Sequence, residues 1–166
     1  MGVALASFPA APLDRTARTI TRFVWGLAAS FGVLGLVLLA VTEAFVGVVF
    51  LLVTVLDGAM AWWLRAREPV AYLLEDDGLV VERRYAAPRR FVGALAELRR
   101  GKLGLRVAGD GGAYGYLGKF RSDGRTVSAF VTSQRDVVLL AVGADRIAIS
   151  PADPDGFIAA AGADGG

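Results

Sequence analysis

The sequence predicts a membrane α-helical hairpin followed by a mainly β barrel of about seven strands, capped by a C-terminal α-helix. Three observations carry this reading. Two long apolar runs lie back to back between Phe23 and Leu64, interrupted only by the charges of Glu43 and Asp57. Thirteen of the 18 basic and 12 of the 16 acidic residues lie beyond Pro69. Past that proline, short apolar runs alternate with Gly- and Asp-rich turns, the punctuation of a β fold.

Composition sets the outer bounds. Of 166 residues, 55% are hydrophobic and 20% charged, and the mean hydropathy is +0.52. Soluble domains average about 25% charged residues. The length admits one ordinary domain, or a small domain plus membrane helices. The chain has neither His nor Cys. That excludes His/Cys zinc sites, thiol nucleophiles, Ser-His-Asp triads and disulfides. No catalytic, cofactor or metal site is therefore expected, and binding or assembly is left. The net charge of +2 implies no global attraction to nucleic acid.

Residues 1–22 form an N-terminal segment. Its first residues, MGVALASFPAAP, carry no charge and so lack the basic start of a signal peptide. Met1-Gly2 is not a myristoylation signal, because position 6 is Ala. The first span, 23–41, extends about 28 Å as a helix, against a hydrocarbon core of roughly 30 Å. The second span, 44–64, follows after only Thr42 and Glu43, so the pair reads as an antiparallel hairpin. A soluble helix this apolar on every face would have nowhere to sit. Arg15, Arg18 and Arg22 precede the hairpin and Arg65 and Arg67 follow it. The positive-inside rule then puts both termini in the cytoplasm, with Trp25, Trp62 and Trp63 in the interfacial belt.

Within the hairpin, Ala28, Gly32 and Gly35 share one helical stripe, and Gly47, Gly58 and Ala61 offer matching notches. Small residues permit close helix approach; whether the neighbour is the second span or another copy is open at this point. Asp57 lies roughly 10 Å inside the cytoplasmic end and needs a partner. Ser30, at the same depth in the first helix, is the intramolecular candidate. A proton or ion site at Asp57, in a small transporter or channel subunit, is the competing functional reading.

The domain spans 65–161. Val70–Glu75 and Leu79–Arg84 read as a hairpin around Asp76-Asp77-Gly78. Arg90–Val92 is a short strand, and Leu95–Arg100 fits a helical turn or a strand. Leu103–Val107 is a strand, and Gly109–Gly118 is a Gly/Tyr loop. Thr126–Thr132, Val137–Val142 and Arg146–Ile149 close the meander. Strands this short favour a bent, nearly orthogonal barrel. Asp153 caps a final helix with Pro154 at its first position and Phe157, Ile158 and Ala161 facing the sheet. Residues 162–166 form a frayed, disordered tail.

The segments EDDGLVVERR (75–84), YGYLGKF (114–120), SAFVTSQRDVVLLAV (128–142) and IAISPADPDGFIAAA (147–161) follow in an order that resembles bacterial pleckstrin-homology-like (PH) membrane proteins. In these a PH-like module follows a membrane hairpin. The resemblance implies a PH-like barrel capped by its last helix, no enzyme activity, and self-association, since such domains form rings in bacteria. One departure stands out. Phosphoinositide-binding PH domains carry basic residues at the first hairpin, and here that turn is acidic.

One basic cluster remains: Arg83, Arg84, Arg89, Arg90, Arg99, Arg100, Lys102 and Arg106, opposed in sequence only by Glu97. It is the candidate anionic-lipid or partner surface, since each basic residue near an anionic leaflet contributes about 1 kcal/mol. The competing reading is a solvated or inter-subunit face. Nucleic acid is not an expected partner, because the cluster lacks interleaved aromatics. The expected partners are the lipid bilayer and either a second copy or another membrane protein. The leading expectation is a non-enzymatic scaffold, assembly or regulatory module at the cytoplasmic face; a lipid- or ligand-sensing module is the alternative.

Overall fold

A computed structural model describes residues 3–41 and 44–163. The expected hairpin tip at Thr42 and Glu43, the Met1-Gly2 pattern and the tail beyond residue 163 lie outside the described residues. The element order is β1 (Ala4–Pro9), α1 (Arg15–Val41), α2 (Ala44–Ala66), β2 (Pro69–Glu75), β3 (Gly78–Arg83), β4 (Arg89–Val92), β5 (Leu95–Gly101), β6 (Arg106–Gly112), β7 (Gly115–Ser122), β8 (Arg125–Val131), β9 (Val137–Val142), β10 (Asp145–Ile149) and α3 (Pro154–Ala163).

Both long helices are long and apolar enough to cross a membrane, with mean hydropathies of 2.3 and 2.2 over their most apolar stretches. They pack antiparallel on the small-residue stripe. A Cβ on Gly35 would meet Leu51 at 3.1 Å, and one on Gly47 would meet Leu39 Cγ at 2.6 Å and the Gly35 carbonyl at 2.9 Å. Ala28 is buried in the same stripe, and Gly32 faces Thr54. The stripe's neighbour is therefore the second helix of the same chain. Gly58 does not belong to the close contact: nothing lies within 4 Å of where its Cβ would sit. The expected Ser30–Asp57 bond is not made either. Ser30 is exposed, and its hydroxyl donates to the Gly26 carbonyl one turn back at 2.8 Å, the local bond open to any helical serine.

The β domain comprises two sheets, ordered β1-β2-β3-β4 and β5-β9-β10-β8-β7-β6. Alternation along the strands sorts the core. Tyr72, Leu74, Leu79, Val81 and Phe91 of the first sheet meet Val138, Leu140, Val142, Ile147 and Ile149 of the second. The α3 helix closes this core with Phe157 and Ala161. Phe157 is fully buried and lies edge-on to Phe8 at 5.2 Å. Asp153 caps α3 as expected, accepting from the Gly156 N–H at 3.0 Å. The helix continues to Ala163, into the segment expected to fray. On the other face of the second sheet, Val127, Ala129, Val131, Val137, Leu139 and Ala148 pack with Tyr116 and Phe120 under Ala17 of α1.

Of the two readings open for Leu95–Arg100, the structure takes the strand, Leu95–Gly101, bulged at Glu97 (φ 53°). Two elements differ from expectation. The Gly/Tyr segment is not a loop but the β6–β7 hairpin, with Gly109 paired to Gly118. A Cβ on Gly109 would lie 2.2 Å from the Leu117 carbonyl oxygen, and one on Gly118 would lie 2.3 Å from that of Ala108. The glycines let two backbones approach; they do not loosen them. The other difference is β1, which pairs antiparallel with β2 from Ala4↔Glu75 to Pro9↔Ala71. Ten strands thus stand, among the described residues, where about seven were expected.

Candidate functional site

Both ends of the hairpin are bonded to the β domain. At its start, the Ala10 N–H donates to Val70 O and the Ala11 N–H to Ser150 O. The buried Thr132 hydroxyl donates to Ala11 O at 2.5 Å, and Ser150 Oγ accepts from the Thr132 N–H at 2.8 Å. Tyr72 completes this buried network: its hydroxyl donates to Phe130 O at 2.6 Å and accepts from the Ser150 N–H at 3.2 Å. Burial pushes the Tyr72 phenol up to about 12.

Asp14 then caps α1, accepting from the Ala17 N–H at 2.8 Å. The same carboxylate accepts from the Tyr116 hydroxyl at 3.2 Å and the Gln134 N–H at 3.1 Å. Burial and the Asp14 charge push Tyr116 up to about 12. At the hairpin's other end, the Ala66 carbonyl accepts from the N–H groups of Tyr85 and Ala86. A helix C-terminus leaves such carbonyls unsatisfied unless something reaches them.

Each tryptophan named for the belt has a partner. Trp25 Nε1 donates to the Tyr114 hydroxyl. Trp62 stacks on Tyr85 with 5.2 Å between ring centroids. The Arg67 guanidinium lies 3.5 Å over the Trp63 ring.

The basic cluster divides in space. Arg84 pairs with Glu68 at 2.8 Å, Arg90 with Glu75 at 3.0 Å, Arg99 with Asp123, and Arg100 with Asp155 at 2.8 Å. Those four have acids that sequence adjacency did not reveal. Glu97, the one acid within the run, is engaged by Arg146 at 2.5 Å, and that bond first of all holds its carboxyl below the usual range. Arg106 donates to Gly109 O at 3.2 Å, and Lys102 is exposed.

Arg83 and Arg89 go elsewhere. With Arg67 from just past the end of α2 and Lys119 from β7, they line a cleft of about 530 Å³ between α2 and the strands β3, β4 and β6–β8. None of these four cations forms a carboxylate ion pair among the described residues. Arg83 donates to Ala87 O, Nε at 2.7 Å; Lys119 donates to Ser128 Oγ at 2.8 Å. Burial, then the charges of Arg67 and Arg89, push the Arg83 guanidinium below its ordinary value. Trp63, Leu64, Leu117 and Phe130 supply an apolar wall. Asp110 is the one acid lining the cleft. Its Oδ2 is buried without a hydrogen-bond partner, and burial pushes its carboxyl up.

Sequence reasoning named Arg83 and Arg89 but missed Arg67, Lys119 and Asp110 as members of one site. Chemically, the arrangement offers four cations beside an apolar wall, a setting suited to an anion that carries apolar surface. No group of three or more potential metal ligands occurs among the described residues. The family model that matches is described as a bacterial PH domain, and it covers residues 70–162, more than half of the chain. No curated protein and no solved structure gives a significant match.

Proposed function

Since the chain belongs to the bacterial PH domain family, whose fold is a binding module, we propose that it is a non-enzymatic platform anchored in the bacterial inner membrane. Its hairpin spans the bilayer, both termini lie in the cytoplasm, and the β domain serves scaffolding, assembly or regulation at that face. The observation that carries the reading is the stitching of both hairpin ends into one domain through β1, β2 and the Ala66 carbonyl. A domain on a single tether tumbles; one held at both ends of its anchor keeps a fixed pose against the surface. The three tryptophans lie at the junction of helix and domain, as amphipathic rings do at the headgroup level.

The chain's only three tryptophans are Trp25, Trp62 and Trp63, so intrinsic fluorescence reads the junction without mutation. In reconstituted vesicles, lipids brominated near the headgroup quench it strongly and aqueous iodide weakly. Quenching by iodide without quenching by brominated lipid overturns the anchoring. Topology follows from single cysteines in this Cys-free chain. Glu43→Cys reacts with an impermeant maleimide in spheroplasts of intact cells, whereas Asp145→Cys reacts only after lysis. The reverse pattern overturns the orientation.

A further inference from the structure

We infer that the cleft between α2 and the β domain seats the headgroup of one anionic phospholipid, its phosphodiester held by Arg67, Arg83, Arg89 and Lys119. The inference rests on the anchored reading above and deepens it. Four cations converge without a carboxylate partner among the described residues, while their neighbours Arg84, Arg90, Arg99 and Arg100 are all ion-paired. Clustered like charges repel one another, Arg83 among them being partly buried, and a bound anion relieves that repulsion. Arginine forks suit phosphate oxygens in particular.

The apolar wall names the source of the phosphate. Trp63 and Leu64 belong to the end of the apolar helix, and Leu117 and Phe130 face them from the sheet. A free phosphate has no use for that surface, whereas a lipid brings a glycerol backbone and acyl carbons beside its charge. The volume, about 530 Å³, lies within the roughly 300–1,000 Å³ of small-molecule sites. The acidic Asp76-Asp77 turn takes no part in the cleft. Asp110 acts as a brake, a negative charge inside an anion site.

The test titrates the full chain in neutral detergent with short-chain phosphatidylglycerol, phosphatidylcholine and glycerol phosphate. Phosphatidylglycerol binds one to one, at least tenfold tighter than phosphatidylcholine. Arg83→Gln with Arg89→Gln weakens it about thirtyfold, and Lys119→Gln, at an exposed position, about fivefold. The ion-paired control, Arg99→Gln with Arg100→Gln, leaves it unchanged. Equal binding of the two lipids, or an equal loss in the control, overturns the site. Glycerol phosphate binding as tightly as phosphatidylglycerol overturns the lipid source and leaves a soluble anion receptor. The titration needs no bilayer and the tryptophan quenching needs no cleft, so each reading can fail without the other.

Discussion

Replacing Asp14 should loosen the join between α1 and the β domain more than an ordinary helix cap would. Its carboxylate caps α1 through the Ala17 N–H and also accepts from the Tyr116 hydroxyl and the Gln134 N–H. Losing an N-cap costs about 0.5–2 kcal/mol. Leaving the buried Tyr116 hydroxyl without its acceptor adds about 1–3 kcal/mol. Gln134 is exposed, so water replaces its partner. Asp14→Ala should therefore destabilise by about 2–4 kcal/mol, since neighbouring losses do not add fully. For a chain of this length that is a drop in Tm of roughly 5–15 °C, read by scanning calorimetry of the full chain in detergent.

Asp14→Asn separates the two parts, because Asn is an equally good cap but carries no charge. The cap survives, and tyrosinate absorbance shows one of the two phenols that titrate near 12 moving toward the ordinary value near 10. The sign of the pH effect follows. Tyr72 and Tyr116 are held neutral in the fold, so their contribution is complete below pH ~10 and is lost as the pH rises toward ~12. An Asp14→Ala variant melting within a degree of the parent, or an unchanged tyrosine titration in Asp14→Asn, refutes the account.

Three further perturbations probe other joints. Phe157→Ala removes the fully buried anchor of α3 and the edge contact with Phe8; denaturant unfolding should show a loss of about 3–5 kcal/mol. Gly47→Leu drives a side chain into Leu39 and the Gly35 carbonyl and should part the helices, whereas Gly58→Ala meets nothing within 4 Å and should be neutral or slightly stabilising; cross-linking of cysteines placed at 31 and 50 distinguishes them. Asp110→Asn should raise the Tm at neutral pH and tighten phosphatidylglycerol binding. Burial raises the Asp110 pKa, so the charged wild-type side chain costs stability as the pH rises through that value, and the two proteins should converge on acidification.

The hairpin, the Asp-Gly turn after β2 and the cap of α3 were legible because each is a local signal. A charge-free run, a turn dipeptide and an Asp-Pro pair announce themselves within a few residues. β1 was not legible: Ala4–Pro9 is short, its burial alternates only weakly, and its partner begins at residue 69. The β6–β7 hairpin was hidden by glycine, whose usual meaning is a loop; here Gly109 and Gly118 need the absence of a Cβ for close backbone contact. The basic cluster misled because adjacency in sequence says nothing about Glu68, Glu75, Asp123 or Asp155 coming to meet it. The cleft draws Arg67 from the turn after α2 and Arg83, Arg89 and Lys119 from three different strands, a convergence that only tertiary structure creates.

The pairing of β1 with β2 gives the chain an order of assembly. The two strands are neighbours in one sheet, yet the whole apolar hairpin is threaded between them, like an outsized turn in a β-hairpin. β1 is synthesised first and must wait for its partner until both helices have been made. On the anchored reading proposed above, failure of one helix to insert would leave β1 and β2 on opposite sides of the bilayer, and β2 would keep an unpaired, aggregation-prone edge. Completion of the sheet would then serve as a proofreading step, since the domain could close only once both helices had crossed.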